Sequence, residues 1–294
     1  MNDIVVINKE KGMTSHDVVN RIRKIFNTKR VGHLGTLDPL ATGVLVVCID
    51  EATKLVQFLQ DHEKSYIARV CLGKSTDTYD LEGQVLEKCS VDNIDIEKLD
   101  QIINGFLYET KQLPPMYSSI KVNGKKLYEY AREGKTVELV PREIKIHEIK
   151  RISELEYING CCYFDILVHV SKGTYIRSLC FDLGKKMGLP SLMADLKRIS
   201  SDIFTLEDAS TIDEIASGNY KSFTMLDALC KFVKTSNEEF VKKSKCGMKI
   251  SLKDVKDVFN ELPNQFVISE NNDLVGIYQI SDDNKFYRAV RVWN

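Results

Sequence analysis

The segment Gly32-His33-Leu34-Gly35-Thr36-Leu37-Asp38-Pro39-Leu40-Ala41-Thr42-Gly43 combines backbone freedom with a reactive group. Three glycines in twelve residues let the chain turn tightly and approach a ligand closely. Pro39 pushes Asp38 towards an extended conformation, so the carboxylate is held in a defined direction. An ionised carboxylate so held can attack an electron-poor carbon or stabilise positive charge developing in a transition state. By pattern alone, an Asp-Pro pair in a glycine-rich loop is more often a plain turn. The other reactive side chains form no such constellation. The eight cysteines contain no Cys-x-x-Cys pair, and several lie in apolar runs such as Val-Leu-Val-Val-Cys48-Ile, which reads as buried thiols. The five histidines lack metal-ligand spacing. Neither a metal nor a cofactor is expected.

The surrounding sequence must supply a scaffold for this loop. Residues 4–7 read as a short buried strand. A helix follows Lys11-Gly12-Met13, announced by a Thr14/Asp17 capping box, with Val18, Val19, Ile22, Ile25 and Phe26 on one face. Residues 29–43 read as loop, 44–49 as a buried strand that anchors it, 52–59 as a short helix and 66–72 as a strand. A polar stretch over 73–83 ends in a turn. Residues 94–106 have helical apolar spacing at Leu99, Ile102, Ile103 and Phe106. Pro114-Pro115 opens a basic, tyrosine-rich segment reaching Arg132. Strands are expected at 143–152 and 161–170, with Asn159-Gly160 as a hairpin-type turn. After Ser171-Lys172-Gly173-Thr174 a helix runs to Met187, closed by Gly188 and Pro190. Short helical pieces fill 207–235. From about 240 onward the chain reads as short strands, at 265–268, 274–280 and 286–292, forming a second, small β domain. The expected fold is α/β (α+β): a mixed, largely antiparallel sheet with flanking helices.

At 43% hydrophobic and 28% charged, the chain can bury a sizeable core and shows no disorder signature. No apolar run approaches the roughly 18 residues a membrane span requires, and Met1-Asn2-Asp3 opens no signal peptide. A cytoplasmic protein with no membrane association is expected. The net charge of −1 conceals an uneven distribution. Residues 1–36 carry seven Lys/Arg against three acids and residues 111–151 ten against five, while residues 50–110 carry six against thirteen. That fits one cationic face, although ordinary solvated surface explains it equally.

The Gly32–Gly43 segment closely resembles the catalytic-loop signature of the TruB family of bacterial tRNA pseudouridine-55 synthases. Further matches follow in order along residues 4–206: Asn8-Lys9-Glu10-Lys11-Gly12-Met13-Thr14-Ser15, with Glu10 where the family usually has proline; Lys64-Ser65-Tyr66; Gly73-Lys74-Ser75-Thr76-Asp77-Thr78; Pro114 to Lys121 with Gly124 to Arg132; Ser171 to Arg177; and Leu196-Lys197-Arg198. The resemblance implies a pseudouridine-synthase domain over 1–235, with an RNA-clamping insertion at about 111–135. Residues 240–294 resemble the family's PUA domain more loosely, with Lys245-Cys246-Gly247 as the anchor.

The implied reaction isomerises uridine 55 in the TΨC loop of tRNA. It breaks N1–C1′, turns the uracil, rejoins it through C5 and removes the C5 proton, with no redox change. By resemblance Asp38 is the catalytic carboxylate and Arg177 the cation that favours its charged form. Tyr66, Tyr175 and the Leu196 backbone line the uracil site. His33 braces the RNA loop vacated by the flipped base. Lys121, Lys125, Lys126 and Arg132 meet phosphates. The partner is the TΨC stem-loop of tRNA, the protein a monomer needing no guide RNA. Competing readings are a non-catalytic RNA chaperone, a guide-dependent ribonucleoprotein subunit, and a small-molecule hydrolase using Asp38.

Overall fold

A computed structural model describes residues 3–59 and 63–293; Met1 and Asn2, on which the signal-peptide reading partly rests, lie outside them. Among the described residues the central sheet has ten strands. Its order is Ile146–Arg151, Cys161–Val170, Lys64–Leu72, Ser191–Ser201, Thr42–Ile49, Ile4–Lys9 and Ser222–Phe223, with three short strands paired beside this path. Every pairing is antiparallel except Lys197↔Thr42 and Arg198↔Gly43, where Ser191–Ser201 runs parallel to Thr42–Ile49. The fold is therefore mixed α/β on a mostly antiparallel sheet, as the sequence predicts.

The sheet buries both faces, and the two-residue period of its strands sorts their side chains between two cores. Val5, Ile7, Leu45 and Val47 face the Ser15–Ile25, Ile96–Gly105 and Ile176–Met187 helices. Ile4, Val6, Val44 and Val46 face the opposite way and pack on Val267, Leu274, Ile277 and Trp293 of the C-terminal region. That region forms a second sheet, ordered Val233–Thr235, Gln265–Glu270, Asp273–Ile280, Phe286–Val292 and Ile250–Ser251.

Local signals hold where side chain and backbone agree. Thr14 and Asp17 form the capping box of the first helix. Asn159 and Gly160 both take positive φ, +52° and +76°, in the turn joining Glu156–Ile158 to Cys161–Val170. Gly188 ends the Ile176–Met187 helix in the left-handed conformation.

Three expectations need correction, and one strand went unread. Residues 29–43 are not all loop: Val31–His33 pairs with Thr42–Ile49, leaving 34–41 as the connection. The expected 52–59 helix starts earlier, as a 3-10 turn over Asp50–Leu55 continued by Val56–Leu59. Ser191–Ser201, from which sequence yields only the Leu196-Lys197-Arg198 motif, is a long central strand. The C-terminal region is not all β. Glu238–Lys245 and Leu252–Phe259 are helices, capped by Asn237 and Ser251. At eight residues each, these helices are too short for apolar periodicity to stand out.

Candidate active site

The 34–41 connection carries Asp38 and is tied down along its length. Its apolar residues Leu34, Leu37, Leu40 and Ala41 are buried. The Ser15 hydroxyl donates to the Leu37 carbonyl (3.1 Å) and accepts from the Leu37 N–H (2.8 Å). Gly12 N–H donates to the Pro39 carbonyl (2.8 Å), and Ala41 N–H to that of Asp38 (3.0 Å). Two fully buried cations finish the frame. Lys9 Nζ donates to the carbonyls of Met13 (2.7 Å), Glu10 (2.9 Å) and Pro39 (3.4 Å). Arg198 donates through Nε to Val44 (2.6 Å) and through Nη2 to Gly35 (3.1 Å). Burial pushes the Lys9 ammonium down to about 8, opposed by the negative charge of Asp38. The carbonyls of Glu10, Met13, Gly35 and Pro39, which lie outside helices and strands, are thus satisfied by side chains.

Asp38 projects from this frame into a cleft of about 690 Å³. Its side chain is 39% exposed, and Oδ2 lies 3.0 Å from Nε of Arg177, whose side chain is 8% exposed. Arg177 stands in the first turn of the Ile176–Met187 helix. Its Nη1 donates to the Thr78 carbonyl (3.1 Å) and faces Asp80 Oδ2 (3.5 Å). Its Nη2 donates to the Tyr117 carbonyl (2.9 Å). One guanidinium therefore binds two carboxylates and two carbonyls, satisfying its fork of donors in a nearly water-free position. Asp80, itself buried, also accepts from the Thr78 hydroxyl (2.5 Å) and the Glu82 N–H (3.0 Å).

Tyr66, Tyr175 and Leu196 line the same cleft. Tyr66 lies on the central strand Lys64–Leu72, between Val168 and Arg198 on its neighbours. Tyr175 precedes the Arg177 helix, and Gln112 grips its backbone from both sides. Its N–H donates to Gln112 Oε1 (2.8 Å) and its carbonyl accepts from Gln112 Nε2 (3.0 Å). Burial raises the Tyr175 phenol. The Leu127–Arg132 helix, which follows the Lys121–Val122/Lys125–Lys126 hairpin, brings Tyr128 and Arg132 to the cleft.

A family model described as the TruB family pseudouridylate synthase (N terminal domain) matches residues 23–176, which hold Asp38, Asp80 and most of the cleft. The chain belongs to the TruB family. Beyond residue 176 the likeness is carried by full-length relatives. The tRNA pseudouridine synthase B of Staphylococcus epidermidis is 43% identical, spanning 97% of this chain and 96% of its own. That of Staphylococcus haemolyticus is 49% identical over 73% of this chain and 71% of its own. A solved structure of an H/ACA ribonucleoprotein bound to a substrate RNA containing 2′-deoxyuridine shares the fold. Its TM-score is 0.67 at 21% identity, over 99% of this chain and 85% of that one.

Of the residues singled out in this TruB-family sequence, the fold gathers Asp38, Tyr66, Tyr175, Arg177, Leu196 and Arg132 around one cleft. It does not bring His33 there. His33 ends the Val31–His33 strand, half-buried, with Nδ1 enclosed and no hydrogen-bond partner among the described residues. Burial first, and the nearby Arg198 charge second, push its imidazole towards the neutral form. Lys121, Lys125 and Lys126 lie on the hairpin outside the cleft lining. Lys125 pairs with Glu133 and sits over the Tyr130 ring (5.0 Å), while Lys126 (5.3 Å) and Arg132 (5.2 Å) share Tyr128. Sequence reading missed Asp80, because Thr76-Asp77-Thr78-Tyr79-Asp80 has the composition of an ordinary turn. Only burial sets this carboxylate apart.

Proposed function

We propose that the protein converts uridine 55 in the TΨC loop of tRNA to pseudouridine, with Asp38 as the catalytic carboxylate. The observation that carries this reading is the Asp38–Arg177 pair, 3.0 Å apart, at a cleft large enough for a nucleotide. The cleft is walled by the 34–41 connection, the sheet at Tyr66 and Leu196, and the Leu127–Arg132 helix, so a base stacked in its helix does not reach Asp38 and the target nucleotide must flip out. Bond cleavage at N1–C1′ develops positive character on the sugar. An ionised Asp38 serves this step either by adding to the sugar or by assisting formation of a glycal. Arg177 pairs with the carboxylate and aims it. Tyr66 stacks on the base and stands where the C5 proton is removed; Tyr175 and the Leu196 backbone complete the uracil pocket. The isomerisation is redox-neutral, so the reading needs no cofactor.

The same proposal assigns residues 1–235 to the catalytic domain, with 111–135 as the clamp, and 240–294 to PUA-like RNA binding. Lys121, Lys125, Lys126 and Arg132 meet phosphate, His33 supports the opened RNA loop, and the protein works in the cytoplasm as a monomer without a guide RNA.

The test is tritium release from a C5-tritiated TΨC stem-loop, with wild type beside Asp38→Asn and neither protein partners nor guide RNA added. Release by the wild type alone is expected, with both proteins binding the stem-loop. Near-equal release by Asp38→Asn removes Asp38 from the mechanism. Tight binding without release by either protein favours an RNA chaperone or a guide-dependent subunit.

A further inference from the structure

Thr78 and Asp80 both hold Arg177, and Tyr79 stands between them with φ at +62°. This is the left-handed region, which bulky L residues rarely occupy. The conformation is held on three sides. Tyr79 N–H donates to the Thr76 carbonyl (3.3 Å), its carbonyl accepts from Met193 N–H (3.0 Å), and its ring stacks on Phe181. The two rings lie 4.1 Å apart and 15° from parallel. Phe181 follows Arg177 by four residues on the Ile176–Met187 helix, so the two side chains share one helix face. The turn thus meets the helix twice, at Arg177 through Thr78 and Asp80 and one helical turn later at Phe181 through Tyr79.

We infer that Tyr79 is a positioning residue for the reaction: its left-handed backbone, kept in place by the stack on Phe181, aims the Thr78 carbonyl and the Asp80 carboxylate at Arg177. The Thr78 carbonyl belongs to the peptide plane that turns when φ of Tyr79 changes. Relaxation of Tyr79 to negative φ therefore swings that acceptor away from Nη1 and shifts Asp80 with it. Arg177 then loses the contacts that fix its Nε against Asp38. Tyr79 does not line the cleft, so its effect passes through Arg177 and not through substrate contact. The inference rests on the Asp38–Arg177 reading proposed above.

Single-turnover pseudouridine formation, tRNA affinity and melting temperature of the full chain test it, in Tyr79→Ala, Phe181→Ala, the double variant, Tyr79→Phe and Asp38→Asn. Each alanine variant is expected to slow the chemical step about tenfold, as small misplacements of a catalytic group do, with tRNA affinity unchanged. The double variant should be no slower than the slower single one, because one stack is lost in every case. Tyr79→Phe keeps the stack and should restore most of the rate. Wild-type rates in both alanine variants, losses confined to affinity or melting temperature, or additive losses in the double variant overturn the inference. If Asp38→Asn is inactive while both alanine variants run at full rate, this inference alone fails. An active Asp38→Asn overturns the site reading and the positioning role with it.

Discussion

At the residue scale the site depends on cations held where sequence gives no hint of burial. Lys and Arg are almost never fully buried unless paired. Yet Lys9 and Arg198 have no exposed surface, and Arg177 has little. Motif resemblance pointed to Arg177 as the neighbour of Asp38. Nothing in the spacing of residues said that the same guanidinium also grips Asp80, Thr78 and Tyr117, which come from segments about 100 and 60 residues away along the chain. That division of labour makes a sharp prediction. Lysine carries one compact ammonium where arginine offers a planar fork. Arg177→Lys can reach Asp38 or the Thr78 and Tyr117 carbonyls, but not all of them. Single-turnover pseudouridine formation should fall by about a hundredfold or more, while tRNA affinity stays near wild type. A lysine variant with unchanged turnover would show that charge alone, without the fork, suffices.

At the element scale the loop is held by a close approach between strands. Gly43 has φ +96°, and a Cβ there would lie 2.2 Å from the Arg198 carbonyl oxygen. Gly43→Ala therefore forces apart the parallel pairing of Thr42–Ile49 with Ser191–Ser201 and should destabilise the fold by about 2–4 kcal/mol. Urea unfolding checks this, and a loss under about 0.5 kcal/mol would contradict the contact. The strand on the far side of that contact escaped sequence reading for a related reason. Ser191–Ser201 lies in the sheet interior and is buried on both faces near its start, so it shows no clean alternation, and bulges at Met193/Asp195 and Arg198/Ser200 break its register. The capped helix at Ser15–Ile25 was legible because its capping box and apolar stripe are local. Buried thiols on Thr42–Ile49 and Lys64–Leu72 favour the folded state less as pH rises. Burial pushes Cys48 and Cys71 up from the ordinary 9.0 to about 12. The folded state then holds protons that the unfolded chain releases above about pH 9, so this stability is full below pH 9 and declines as pH rises. The thiol contribution should lower the urea midpoint as pH rises from about 9 towards 12, and the fall should be smaller in Cys48→Ala.

At the scale of the whole molecule, the two sheets share one core. Trp293, the chain's single tryptophan, is 7% exposed, packs in the cluster with Ile4, Val6, Val44 and Val46, and donates through Nε1 to the Glu51 carbonyl (3.4 Å). Its fluorescence therefore reports the docking of the C-terminal sheet on the sheet that carries the site. Unfolding followed by Trp fluorescence and by far-ultraviolet circular dichroism should coincide, and Trp293→Ala should cost about 3 kcal/mol in a chain that still folds. A fluorescence transition that precedes the loss of secondary structure would mean the sheets separate first. Sequence alone determined what depends on residues close together along the chain: the Asp38 loop, the first helix and its cap, the Asn159-Gly160 turn and the mixed α/β class. Their signals are side-chain period, turn chemistry and a motif readable in one stretch. Tertiary structure alone decided that Asp80 shares Arg177 with Asp38, that His33 stays outside the cleft lining, and that the C-terminal region closes the back of the sheet. These depend on burial and on contacts between distant segments, which exist only once the chain has folded and water has left the core.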